Sequence, residues 1–152
     1  MRIWIAAIIL FLPPFCRTGA CARISGFDDM DGTVWCAFRA SGAPGIILYF
    51  AGGYYAEMFD SLKGGFLPPS EKVEYEAVKT EGGMLVRSLC SPKLPPFEVA
   101  DGGKRLKMAW PIGEAAGAFE RISVKEADRL LKNFSISDID FRRLKTRGGS
   151  AK

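Results

Sequence analysis

The feature that most constrains this chain is a series of short runs in which apolar and polar residues alternate, separated by glycine-rich turns. Residues 97–112 show the pattern best: a turn at Gly102-Gly103 folds the run back on itself. The pairs that this turn aligns are Val99 with Leu106, Phe97 with Met108, and Glu98 with Lys107. One face of the hairpin is then apolar and the other charged, which indicates antiparallel β-structure.

A second hairpin is predicted at residues 71–90, where a turn at Glu81-Gly82 pairs Val78 with Leu85 and Glu76 with Arg87. Residues 32–40 also alternate, with Val34, Cys36 and Phe38 on one face, which we expect to point inward. Residues 46–51 are continuously apolar, as in a strand that is covered on both sides. Together these runs predict five or six mostly antiparallel strands.

Helical signals are fewer. Ser123 and Glu126 form a capping-box pattern before a helix predicted at 124–134, whose apolar stripe would pack on the sheet. Residues 54–63 fit a short helix, and a strand over 54–59 fits nearly as well. The predicted fold class is therefore α+β, a mostly antiparallel curved sheet or small β-sandwich with one C-terminal helix.

The first 22 residues have the anatomy of a signal peptide: one basic residue, an apolar run over 3–15 that contains two prolines, then small residues. Ala20-Cys21-Ala22 fits the cleavage pattern, so the mature chain would start at Arg23 and lie in the periplasm or outside the cell. The alternative is a lipoprotein anchored through Cys21. We expect no membrane-spanning segment in the mature chain, since the apolar run is too short. The predicted organisation is a leader at 1–22, one β-rich domain at 23–145 and a disordered basic tail at 146–152.

Cleavage after residue 22 would leave Cys36 and Cys90 as a pair in an oxidising compartment. Both fall on predicted inward faces, so we expect a structural disulfide between them. The alternative is two buried free thiols. Because the chain has no C-x-x-C motif, a thioredoxin-like redox role is excluded.

The absence of histidine excludes Ser-His-Asp and Cys-His catalysis and histidine-ligated zinc. The acidic segment 26–32 lacks the ligand spacing of a calcium loop, so we predict no metal and no cofactor. The net charge of +4 comes from the leader and the last eleven residues. Residues 23–141 hold 14 basic and 17 acidic residues, a net charge of −3, so a nucleic-acid partner is not expected.

No catalytic motif occurs, so we expect a protein that binds another envelope component, either a protein or a cell-wall component, without catalysis. A hydrolase that uses carboxylates or a Ser-Lys pair is the alternative, and a purely structural role is also open. The candidate binding surface lies in a turn-rich stretch with many large apolar groups, which are enriched at interfaces. Its residues are Tyr54, Tyr55, Met58, Phe59, Phe66 and Leu67. The competing interpretation is that these residues close the core.

Overall fold

The computed structural model describes residues 30–61, 64–81, 83–90, 94–108 and 118–148. These ranges contain ten strands, one α-helix and two 3₁₀ helices at Asp101–Gly103 and Ile136–Asp138, so the predicted α+β, mostly β class is confirmed. In chain order the strands β1 to β10 are Val34–Phe38, Pro44–Ala51, Tyr54–Ser61, Gly65–Phe66, Glu71–Thr80, Gly83–Ser88, Phe97–Ala100, Arg105–Met108, Ala118–Ile122 and Lys145–Thr146. The helix α1 is Val124–Leu131.

Eight of the described strands close into a barrel in the order β1-β2-β3-β5-β6-β7-β8-β9, with β9 pairing back to β1. We call the pairing of β9 with β1 the β9–β1 seam. It is antiparallel and places Trp35 beside Arg121. The predicted curved sheet or sandwich of five or six strands is therefore replaced by a closed barrel of eight. Closure is favourable because it pairs the backbone groups that an open sheet edge leaves exposed. Strands β4 and β10 are short additions to β3 and β5.

The barrel wall separates two apolar clusters. The inner cluster fills the barrel, and its largest members include Trp35, Phe50, Tyr55, Tyr75 and Phe97. The outer cluster lies between the wall and α1, and includes Cys36, Ile47, Met58, Ala127 and Leu131. Strand β2 is therefore covered on both faces, as its continuous apolar run predicted.

Both predicted hairpin registers are confirmed. Strands β5 and β6 pair Val78 with Leu85 and Glu76 with Arg87. Strands β7 and β8 pair Val99 with Leu106, Phe97 with Met108 and Glu98 with Lys107. Of the turn residues, Gly82 lies outside the described residues, as do Trp110 and Ile112 of the alternating run.

The helix predicted at 54–63 is wrong, because residues 54–61 form strand β3, and residues 62 and 63 lie outside the described residues. It forms a two-residue hairpin with β2, in which Ala51 pairs with Tyr54. The connecting Gly52 and Gly53 have φ of 58° and 87°, and a type I′ turn requires two such positive angles. A Gly-Gly pair between two apolar runs is a signal of such a hairpin.

The predicted capping box at Ser123 is present in part, since the Ser123 Oγ accepts a hydrogen bond of 3.1 Å from the Glu126 N–H. The helix ends at Leu131 and does not reach Phe134, because Lys132 adopts a φ of 61° that ends the right-handed helix. Leu131 and Ala127 face the barrel wall and are buried. None of the described helices has the length and apolar character needed to cross a bilayer.

The tail predicted to be disordered from residue 146 is ordered through 148. Strand β10 pairs in parallel with Glu71 and Lys72 of β5. Arg147 then donates hydrogen bonds to Glu57 Oε2 at 2.8 Å and to Glu71 Oε2 at 3.0 Å. The C-terminal segment is thus held at the end of the barrel where β3 ends and β5 begins, which we call the closed end.

The structure contains no Cys36–Cys90 disulfide, and both residues are free thiols in the described part of the chain. The prediction that both cysteines point toward one common interior is wrong. Cys36 belongs to the outer cluster beneath α1, whereas Cys90 packs against the inner cluster. A closed barrel has an apolar surface on both sides of its wall wherever a helix covers it, so alternation alone does not identify the interior.

Candidate ligand-binding cleft

A cavity of about 760 Å³ opens at the end of the barrel opposite Arg147, which we call the open end. It is bounded by the start of β1, the β5–β6 hairpin, the β7–β8 hairpin and the end of β9. We call it the open-end cleft. Its lining residues are Met30, Asp31, Trp35, Lys79, Thr80, Gly83, Met84, Val99, Ala100, Asp101, Gly102, Gly103 and Arg121.

The floor of the cleft is apolar and rigid. Trp35 is only 1% exposed, and its indole Nε1–H donates a 2.8 Å hydrogen bond to Thr33 Oγ1. The Thr33 hydroxyl in turn donates to the Met30 carbonyl at 2.6 Å. Because this chain of bonds satisfies a buried indole and a buried hydroxyl, it fixes the ring plane at the base of the cleft.

The rim carries charges of both signs, but its carboxylates are already engaged. Asp31 Oδ1 accepts a 2.6 Å hydrogen bond from the Gly52 N–H, which ties the β1 entry to the β2–β3 turn. Asp101 forms a 3.5 Å ion pair with Arg105. Both acidic groups of the cleft therefore have structural partners.

Arg121 is the rim cation with the most distinctive environment. It lies beside Trp35 across the β9–β1 seam, and its guanidinium carbon is 5.9 Å from the centre of the indole ring. Among the residues that the structure describes, Arg121 forms no ion pair. A guanidinium that stacks on an aromatic face keeps the N–H groups at its edge available for hydrogen bonds.

Backbone geometry shapes the opposite rim. Asp101, Gly102 and Gly103 have φ of 53°, 65° and 85°, so three successive residues are left-handed. Gly83 lies close to the next strand, since a Cβ there would be 2.9 Å from the Val99 carbonyl oxygen. The chain therefore needs glycine where β6 approaches β7 at the edge of the cleft.

A smaller cavity of about 510 Å³ adjoins the open-end cleft and shares Arg121 with it. Lys104 and Arg105 also line it, and Glu120 is its acidic residue. The alternating run around these residues suggests that Lys104, Arg105 and Lys107 protect the edge of a sheet. The structure contradicts this interpretation, because β8 lies between β7 and β9 in the closed barrel.

The Cys36 thiol is buried, and the two carboxylates of the cleft are already engaged. Among the described residues, no three His, Cys, Asp or Glu side chains come together as a metal site. Burial, together with the charges of Glu126 and Glu120, raises the pKa of Cys36 to about 12, so its thiol is protonated at neutral pH. The cleft's two carboxylates are engaged as described above, and neither is placed beside a nucleophile in the contacts that the structure shows.

The six residues of the predicted binding surface are not brought together. Tyr55 lies inside the barrel, and Met58 and Phe66 lie in the outer cluster, so these three are buried. Tyr54 is half-buried, with Lys72 Nζ 4.4 Å from its ring centre. Phe59 and Leu67 are 51% and 61% exposed and are neighbours, because the Leu67 N–H donates to the Phe59 carbonyl.

Sequence reasoning missed the cleft, although one signal was present. Lys79 continues the inward-facing series Val73, Tyr75 and Ala77, and Arg121 follows the buried Phe119 at the same spacing. A charged residue at the end of an otherwise apolar face marks the mouth of a barrel. Comparisons with protein-family models, curated proteins and solved structures find no match to this chain.

Proposed function

We propose that this protein is a non-catalytic binding protein of the cell envelope, and that it holds a small component of that compartment in the open-end cleft. The observation that carries the proposal is the cavity of about 760 Å³ over a fixed indole. Ligand sites typically occupy roughly 300–1,000 Å³ and combine an apolar lining with a few polar groups. An eight-stranded barrel has an interior wide enough for side chains or for one small ligand.

A neutral fluorescent probe, N-phenyl-1-naphthylamine, tests whether the cleft takes an apolar molecule. We expect saturable binding to the full chain, and loss of that binding when Ala100→Trp fills the cleft. The matched control is Val124→Trp, because Val124 is exposed on α1 outside the lining. Equal probe binding by the two variants, with unchanged melting temperatures, would place the site elsewhere.

Export is part of the proposal and rests on the sequence of the first 22 residues. The intact mass of the protein recovered from an envelope fraction tests it. A chain that starts at Arg23 is expected, and a lipid-modified Cys21 would instead establish the anchored form. The mass of the complete 152-residue chain would contradict both.

A second candidate, a surface for an envelope protein, is favoured by one observation. Phe59 and Leu67 are large, exposed and adjacent near the closed end of the barrel. Such apolar groups are enriched at interfaces. Replacing both with Ser should leave the melting temperature unchanged and abolish cross-linking to the partner in envelope extracts, while Tyr55→Ala should destabilise the fold.

A further inference from the structure

We propose that the ligand of the open-end cleft is a dissolved, single-chain amphiphile with an anionic head group, such as a carboxylate, phosphate or sulfonate, and that Arg121 binds this group. This inference rests on the proposed function, since it specifies the ligand of the same cleft. The apolar floor would receive the chain, and the guanidinium at the mouth would receive the head group.

The first step of the argument is the position of Arg121. It lies at the junction of the open-end cleft and the adjoining cavity and lines both. Trp35, which forms the floor, is also the ring over which its guanidinium lies. A ligand that enters the open-end cleft therefore comes within reach of the guanidinium.

The second step concerns the competing charges. Asp31 and Asp101 are the groups of the cleft that would favour a cationic ligand. However, Asp31 already accepts a hydrogen bond from the Gly52 N–H, and Asp101 already pairs with Arg105. Arg121 has no comparable carboxylate partner among the described residues. The hydrogen-bond donors that remain available at the mouth of the cleft therefore belong to a cation, Arg121.

The third step concerns the surroundings of Arg121 in the adjoining cavity. Lys104 and Arg105 lie there with it, against Glu120. Glu120 is registered opposite both Arg105 and Cys36, on the face of β9 that does not carry Phe119. Since β8 is not an edge strand, the need to block sheet extension does not account for these cations. Arg105 is paired with Asp101, so Lys104 is the cation that would add positive charge near an anion at Arg121.

The fourth step is the geometry of arginine itself. Its planar fork of N–H donors matches carboxylate, phosphate and sulfonate oxygens, and stacking on an aromatic ring orients the plane beforehand. A hydrogen bond to a charged group contributes enough to change affinity by roughly tenfold to a hundredfold.

Three ligands with the same ten-carbon chain test the proposal: decanoate, decanol and decylamine, each below its micelle concentration. Calorimetry with the full chain should show decanoate binding at least about tenfold more tightly than decylamine. Arg121→Gln should weaken decanoate by about tenfold to a hundredfold and leave decanol unchanged. Arg121→Lys should retain part of the preference, because it keeps the charge and loses the fork.

The matched control is Arg129→Gln, which removes an exposed guanidinium from α1 and should not change any of the three affinities. If none of the three ligands binds, the proposed function fails together with the inference. If all three bind equally and Arg121→Gln has no effect, the cleft remains a binding site and the anionic preference is overturned. Tightest binding of decylamine would also overturn it. Binding to phosphatidylglycerol vesicles without binding of dissolved decanoate would overturn it in favour of a membrane surface.

Discussion

Cys36 and Cys90 have different environments, because they lie on different sides of the barrel wall. Cys36 is fully buried beneath α1, and burial raises its pKa to about 12. Cys90 is half-buried, with its Sγ 3.1 Å from Ser88 Oγ. Since the thiolate is the reactive form, the buried protonated thiol should be inert.

Alkylation of the native full chain should therefore modify Cys90 and leave Cys36 unmodified until the protein unfolds. Peptide mapping by mass spectrometry reports each site separately. The control is labelling in denaturant, which should modify both. A native Cys36 that reacts as fast as Cys90 would show that the helix does not seal the outer cluster.

The raised pKa of Cys36 also predicts a dependence of stability on pH. The unfolded thiol ionises near 9.0 and the folded one near 12, so the stability contributed by the protonated thiol is complete below about pH 9 and is lost as the pH rises toward 12. The free energy of unfolding should fall by at most about 1.4 kcal/mol per pH unit from this group. Cys36→Ala should show a shallower fall than the wild type between about pH 9 and 10, because the tyrosines with raised pKa values are the same in both proteins. Equal slopes would contradict the assignment.

Gly83 offers a test of the close approach at the cleft. Gly83→Ala should lower the free energy of unfolding by about 1–3 kcal/mol, because the new Cβ would lie 2.9 Å from the Val99 carbonyl. Gly32→Ala is the control, since Gly32 also has a positive φ but has open space around its Cβ position. Urea denaturation should show the larger loss at Gly83. A larger loss of stability in Gly32→Ala would mean that the positive φ, and not the close approach to the Val99 carbonyl, is what requires glycine.

At the scale of elements, local pattern determined what could be predicted. The registers of β5–β6 and β7–β8 followed from alternation on both sides of a short turn. Strand β3 was misassigned because both of its faces are apolar: Tyr55 enters the barrel and Met58 the outer cluster. Apolar residues three apart fit a helix and a doubly covered strand equally well, and only tertiary packing separates the two.

The cap of α1 can be tested directly. Ser123→Ala removes the oxygen that accepts from the Glu126 N–H, and should lower the free energy of unfolding by about 1 kcal/mol. Ser123→Asp should restore most of the stability, because aspartate is an equally good cap. Thermal denaturation of the three proteins measures both effects. An aspartate variant as unstable as the alanine variant would show that the hydroxyl has a role other than capping.

At the scale of the molecule, barrel closure and the cleft were beyond the reach of sequence reasoning. No local signal pairs β9 with β1, which are separated by some eighty residues, and the cleft joins Trp35, Lys79, Asp101 and Arg121 from four different strands and turns. The C-terminal segment was missed for the same reason. Its two-residue strand has little pattern of its own, and its order comes from contacts with β5.

Those contacts make Arg147 the residue on which the closed end depends. Glu57 and Glu71 both accept from its guanidinium, and their side chains are 18% and 44% exposed. Burial by itself lowers the pKa of Arg147, but the hydrogen bonds and charges of the two glutamates outweigh it and raise the pKa above its usual value. Arg147→Met would leave two partly buried carboxylates without their cation.

We expect Arg147→Met to lower the free energy of unfolding near pH 7 by about 1–3 kcal/mol, less than a fully buried pair would lose because the site is partly open to solvent. Replacing Glu57 and Glu71 by Gln in the same variant should recover most of the stability near neutral pH, because no uncompensated charge remains. Urea denaturation near pH 7 measures both changes. A loss that is not rescued by the Gln substitutions would mean that Arg147 acts through packing alone, and the closed end would then be held by the backbone pairing of β10 with β5.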